Sequence, residues 1–290
     1  MGRRWWVVAV AVIAGVTALV YPGDAECTAQ ASRAVPPSAA GTSAETPHPA
    51  APRTAEAPAP DLSAAVARAV EAAGGVDLGL AVIDLHSGEA AGHNADTPFR
   101  SASLSKLVVA VDLLTSGEVP AADLDRLRRA LSLSDDDAMN ALWTLHDGMG
   151  AITRVATRAG LTATRAPADA SQWGDVEMSA RDVTRLYRHI TNLPPANRDF
   201  VLTALSAASP TAADGFDQAY GLLAPGSGTY AKQGWMWYLP ADFYLHTSGI
   251  VADRYAVAAL SIQTGVAEQA AKDRLTAVTT ALVTALTTSG

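Results

Sequence analysis

Between Thr229 and Gln263 three apolar, β-branched segments follow one another: Thr229–Tyr238, Phe243–Val251 and Arg254–Gln263. Their connections, Leu239-Pro240-Ala241-Asp242 and Ala252-Asp253, are too short for a crossover, so the strands must pair antiparallel. Two further strand-like segments, Val76–Leu85 and Glu89–His93, lie far upstream on either side of the turn His86-Ser87-Gly88. The residues between the two groups have mostly helical periodicity, over Ser103–Ser116, Ala121–Leu131, Asp137–Leu145, Ala151–Ala159, Ser179–Ile190 and Asn197–Ala208. A helix capped by Asp61 opens the domain over Asp61–Ala73, and the Ala- and Thr-rich segment Val266–Leu286 closes it. Two strands cut off from three by helices predict an α+β fold. Its sheet is mostly antiparallel with about five strands, flanked by the terminal helices, and carries an inserted all-helical lobe.

The preceding residues have a different character. Arg3 and Arg4 are followed by 17 apolar or small residues, Trp5 to Tyr21, and by a small-x-small site at Ala29-Gln30-Ala31. Residues 1–31 are therefore expected to be a signal peptide or an N-terminal membrane anchor. Asp24-Ala25-Glu26 before Cys27 does not match a lipoprotein cleavage box. Residues 32–60 contain seven prolines and one large apolar residue, Val35, too little to offset the entropy of ordering. They read as a linker, and residues 61–290 as the folded domain.

Composition removes several chemistries. Cys27 is the only cysteine, so the domain has neither a disulfide nor a thiolate nucleophile. The six histidines, at positions 48, 86, 93, 146, 189 and 246, show no metal-ligand spacing, and no metal or cofactor is expected. A net charge of −8 without a basic patch argues against nucleic acid. Membrane contact is expected only through the N-terminus, and the domain is expected to be a monomer.

Of 21 basic residues only three are lysines. A solvated lysine can be replaced by arginine at little cost, but one that must release its proton cannot. Lys106 lies in Ser103-Leu104-Ser105-Lys106 at the start of a helix, three residues after Ser103 and therefore on the same face. A serine hydroxyl needs a base beside it, and lysine serves when burial or a second cation lowers its pKa. The alternative is a helix-capping serine and a solvated lysine. Lys232 lies in Lys232-Gln233-Gly234 on a strand, where glycine often marks close approach by a ligand or another backbone. Ser134-Asp135-Asp136, with Asn140 one to two turns on, is by itself good helix-cap sequence.

Taken in order, the three segments resemble the penicillin-recognising serine enzymes, the class A β-lactamases and D-Ala-D-Ala peptidases, whose motifs are S-x-x-K, S-D-N and K-T-G. The resemblance covers the element order of residues 61–290, and extends to Phe99 before the serine motif and to Asn140 six residues after Ser134. It implies four catalytic residues. Ser103 would be the acylated nucleophile and Lys106 its base. Ser134 would shuttle the proton to the leaving nitrogen. Lys232 would hold Ser134 and lower the pKa of Lys106. Asp136, Gln233, Gly234 and Trp235 would contact the substrate, with the oxyanion between the N–H groups of Ser103 and Trp235.

The departures bear on function. Asp136 stands where the family has Asn, so an amide donor is replaced by a charge that raises the pKa of Lys106. Gln233 replaces the hydroxyl that meets a substrate carboxylate. Trp235 and Trp237 add bulk on one strand face. The Ser103–Ser134 spacing is short, which predicts a reduced helical lobe. The segment Arg165–Met178 has no Glu-x-x-x-Asn pattern, and holds only Asp169, Asp175 and Glu177 as carboxylates. The expectation is an exported serine hydrolase that forms an acyl-enzyme with a peptide-like or β-lactam substrate in the cell envelope and turns over β-lactams poorly. The alternative is a catalytically silent domain that binds cell-wall peptide or a protein partner.

Overall fold

A computed structural model describes residues 60–288 except Gly228, Leu239 and Pro240. The expected signal or anchor and nearly all of the linker lie outside the described residues. Among the described residues, no helix is long and apolar enough to cross a membrane.

The domain opens with α1 (Leu62–Ala72), capped by Asp61 Oδ1, which accepts from the N–H groups of Ser63 and Ala64. Strands β1 (Asp77–Asp84), β2 (Ala90–His93) and β3 (Pro98–Arg100) follow. The helical lobe comprises α2 (Ser105–Thr115), α3 (Ala121–Ser132), α4 (Asp136–Leu145) and α5 (Gly148–Ala159). After a long irregular connection come β4 (Glu177–Ser179), α6 (Ala180–Thr191) and α7 (Pro195–Ser206). The chain ends in β5 (Tyr230–Tyr238), β6 (Asp242–Val251), β7 (Tyr255–Thr264) and α8 (Glu268–Thr287). Five strands form one antiparallel sheet in the order β2-β1-β7-β6-β5, the predicted α+β architecture.

Both faces of this sheet are covered, and strand alternation divides its side chains between two cores. Leu78, Leu80 and Val82 of β1, with Val257 and Ala259 of β7, pack among residues of α1 and α8. Ala81 and Ile83, with Ala256, Ala258 and Leu260, face the helical lobe. β5 is one of the two edge strands of the sheet, and its motif residues lie against the turn Ala102–Leu104 that begins the lobe.

The structure adds a two-stranded sheet, β3 with β4, that periodicity did not anticipate; three residues per strand are too few to show a period. The stretch between α2 and Ser134 holds a single helix, α3, which accounts for the short spacing between those motifs. Residues 160–176, between the helical segments expected over Ala151–Ala159 and Ser179–Ile190, are mostly irregular with a short 3-10 turn at Trp173–Asp175.

Candidate active site

The three motif segments arrive from three elements. Ser103 sits in a 3-10 turn, Ala102–Leu104, that leads into α2. Ala102 has φ of +47°, in the left-handed region that alanine rarely adopts, at a cost on the order of 1–3 kcal/mol. Ser134 has φ of +52° and precedes α4. Asp135 caps that helix, accepting from the N–H of Ala138 at 2.9 Å, and it also pairs with Arg129. With Asp135 as the cap, the carboxylate of Asp136 is available to the site.

β5 supplies Lys232, and Gly234 explains how closely the strand approaches. A Cβ on Gly234 would lie 2.9 Å from the carbonyl oxygen of Ser101 and 3.3 Å from the Leu104 side chain. His246, the cross-strand partner of Gly234 and buried on β6, holds Arg100, the residue before the Ser101–Ser103 segment. Its Nε2 donates to the Arg100 carbonyl at 2.8 Å, and its Nδ1 accepts from the N–H of Ser261 at 3.2 Å. Burial holds this imidazole neutral, with its pKa lowered to about 4.

Five side chains converge: Ser103, Lys106, Ser134, Asp136 and Lys232. Lys106 Nζ lies 2.8 Å from Ser103 Oγ, 2.8 Å from the Ser134 carbonyl, 3.4 Å from Ser134 Oγ and 2.6 Å from Asp136 Oδ1. Lys232 Nζ lies 2.7 Å from Ser134 Oγ and donates to its neighbour's carbonyl, Gln233 O, at 2.9 Å. Ser134 Oγ therefore bridges two buried amines. Ser105, the other serine of the motif, donates to Ala102 O at 2.9 Å and is fully buried.

The electrostatics oppose one another at Lys106. Burial lowers its pKa, and the Asp136 carboxylate raises it; burial wins, and the net direction is down. The leading cause is thus desolvation rather than the expected second cation. For Lys232, burial comes first and the Lys106 charge second, and together they hold its pKa well below that of an ordinary lysine. Lys106 Nζ donates to Ser103 Oγ, to Ser134 O and to Asp136 Oδ1, three acceptors for the three N–H groups of an ammonium.

A cavity of about 360 Å³ opens over Ser103, walled by Asp136, Asn140, Gln172, Trp173 and Trp235 among others. The Trp173 ring centroid is 4.7 Å from Lys106 Nζ, and its Nε1 donates to Asn140 Oδ1 at 2.8 Å. Sequence reasoning missed Trp173; a lone tryptophan in an irregular segment carries no periodic signal.

Two expected substrate contacts do not line the cavity. Gln233 follows Lys232 on a strand and so points to the opposite face, where its amide donates to Gln218 O and Tyr220 O. Gly234 meets the Ser101 backbone instead. Trp235 borders the cavity, but by the same alternation its ring lies on the face of Gln233, stacked on Phe216 at 4.4 Å. Trp237 stacks on Phe243 at 4.2 Å and is not a lining residue. The third lysine, Lys272 of α8, is buried over Phe216 and paired with Glu268 at 2.8 Å, a packing role. Among the described residues, no group of three or more His, Cys, Asp or Glu side chains could hold a metal ion.

Solved structures share this fold. A β-lactamase from Chitinophaga pinensis superposes with a TM-score of 0.63 at 17% identity, over 77% of this chain and 99% of its own. A class A β-lactamase from Bacteroides cellulosilyticus gives 0.65 at 12% identity, over 78% and 99%. The domain has a divergent β-lactamase-like fold. Residues 61–126, which include Ser103 and Lys106, match the family model described as "Beta-lactamase enzyme family". The protein named "Putative lipoprotein LppW" in Mycobacterium bovis and Mycobacterium tuberculosis is 31% identical over 208 residues. That match covers 66% of this chain and 65% of the relative, so the chain spans just under two thirds of the relative's length.

Ser103 with Lys106, Lys106 with Ser134, and Ser134 with Lys232 are each within hydrogen-bond distance. The loop carboxylates are not at the cavity. Asp169 binds Ser171 within its own turn, Asp175 pairs with Arg100 at 3.3 Å, and Glu177 is exposed on β4. Asp136 is the one carboxylate among the described lining residues.

Proposed function

We propose that the domain is an exported serine hydrolase whose Ser103 is acylated by a peptide-like or lactam substrate in the cell envelope. The observation that carries this reading is the 2.8 Å contact between Ser103 Oγ and the buried amine of Lys106. Lys106 accepts the Ser103 proton as Oγ attacks the carbonyl carbon. As the bond to the leaving atom breaks, Ser134 passes a proton to that atom and is reprotonated from the lysine pair. Lys232 orients the Ser134 hydroxyl for this transfer. Export is supported by the sequence of residues 1–31 and by the lipoprotein name of the mycobacterial relatives.

The test is the pH dependence of labelling by a fluorophosphonate. The base is the neutral amine, so the rate rises as pH rises through the Lys106 pKa. Because that pKa is lowered, the rate should level off below the ordinary lysine value of about 10.4. Lys106→Ala should slow labelling by about 100-fold or more. A rate that climbs through the ordinary lysine range, or one indifferent to Lys106→Ala, would remove Lys106 as the base.

A second reading, a silent module that binds cell-wall peptide or a protein partner, is favoured by one contact. Asp136 Oδ1 sits 2.6 Å from Lys106 Nζ, where it stabilises the ammonium form that cannot accept the Ser103 proton.

A further inference from the structure

The charge of the cavity wall is opposite to what an anionic substrate needs. Lys106 and Lys232 are buried and face Ser134, and neither lines the cavity. Arg100, the nearest arginine in sequence, is occupied by Asp175, by Tyr238 and Tyr244 hydroxyls, and by stacking on the Tyr238 ring at 3.9 Å. Gln233 has turned to the far side of the sheet. Among the described lining residues the only charge is therefore Asp136, and its side chain is 55% exposed. Only Oδ1 is used by Lys106. Asp136 lies two hydrogen bonds from Ser103 Oγ, through Lys106. Trp173 stands in the same wall, and indole faces attract cations, whereas the Trp235 ring is stacked on Phe216 on the other face of the sheet.

We infer that the site selects acyl donors carrying an ammonium or guanidinium group close to the scissile carbonyl, held by Asp136 beside Trp173, and disfavours donors with a carboxylate there. This rests on the reading of Ser103 as nucleophile. The reaction is ordinary acyl transfer: the C–Oγ bond forms, the bond to the leaving alkoxide or amine breaks, and the leaving group departs with the Ser103 proton. Specificity arises because a carboxylate brought beside Asp136 meets a like charge with no lining cation to offset it, whereas a cation meets its counter-ion.

Three p-nitrophenyl esters of matched size test this: one with a trimethylammonium group, one with the neutral tert-butyl isostere and one with a carboxylate. Single-turnover nitrophenol release and the mass of the Ser103 adduct are read for each. The cationic ester should acylate about tenfold faster than the neutral one, the scale of one charged contact, with the anionic ester slowest. In Asp136→Asn the cationic-to-neutral ratio should fall to about one. That ratio is independent of any change in Lys106 basicity, which acts on all three esters alike. An anionic ester that matches or exceeds the neutral one, with Ser103 still labelled, would overturn the inference and leave the nucleophile standing. So would a ratio that survives Asp136→Asn. If no ester labels Ser103, the nucleophile reading fails instead. Binding of the three corresponding amides, followed by tryptophan fluorescence, then decides the charge preference: tighter binding of the cationic amide supports it, and equal binding overturns it.

Discussion

Asp136→Asn should acylate faster with benzylpenicillin than the wild type, by roughly tenfold. Removing the carboxylate 2.6 Å from Lys106 Nζ withdraws the largest contribution that favours the ammonium form over the amine. A unit charge at about 4 Å is worth about 4 kcal/mol at an effective dielectric near 20. The Asp136 side chain is half exposed, so solvent screening leaves about 1–2 kcal/mol. Asparagine keeps an acceptor for Lys106 and adds an amide donor for a substrate carbonyl. It also removes the like charge that faces the penicillin carboxylate. The sign on pH follows from the base: a lower Lys106 pKa means that the amine is present at lower pH, so the acylation profile should move to lower pH. Stopped-flow or quenched mass measurements across pH would show both effects. An unchanged rate and profile would mean that Asp136 does not govern Lys106.

Turnover is the second large effect. With a chromogenic cephalosporin in excess, the wild type should release about one equivalent of product per Ser103 and then stop. Hydrolysis of the ester needs a base that aligns water on the carbonyl. Asp169, Asp175 and Glu177 are held elsewhere, and the Trp173 ring covers Lys106. Asp136 is engaged by Lys106. The time course is run beside Asp169→Ala and Glu177→Ala. Sustained hydrolysis in the wild type, abolished by either change, would identify a deacylating base that the static structure does not bring to the ester.

Much of this was legible in sequence because the signals were local. The helix faces of α1 and α2, the tight turns between the last strands and the rarity of lysine all act through residues near one another in the chain. What stayed hidden was set by tertiary context. Ala102 and Ser134 have left-handed backbones without the glycine or asparagine that usually announces one. β3 and β4 pair through three residues each, over a separation that periodicity cannot see. Trp173 reaches Lys106 from an irregular segment. The rotation of Gln233 away from the cavity was legible, since adjacent residues on a strand face opposite sides and Lys232 was already assigned to the site. The balance at Lys106 needed the structure, because the charge of Asp136 can be read from sequence and the extent of burial cannot.

The most direct measurement is the site of covalent labelling. Wild type, Ser103→Ala and Ser105→Ala are each incubated with a fluorophosphonate and with benzylpenicillin, then examined by intact mass and peptide mapping. Ser103 opens onto the cavity and touches Lys106, whereas Ser105 is buried and bonded to Ala102 O. The expected result is a single adduct per chain, mapped to Ser103, absent in Ser103→Ala and retained in Ser105→Ala. An adduct that survives Ser103→Ala, or a wild type that takes up neither reagent, would contradict the assignment of Ser103 as the nucleophile.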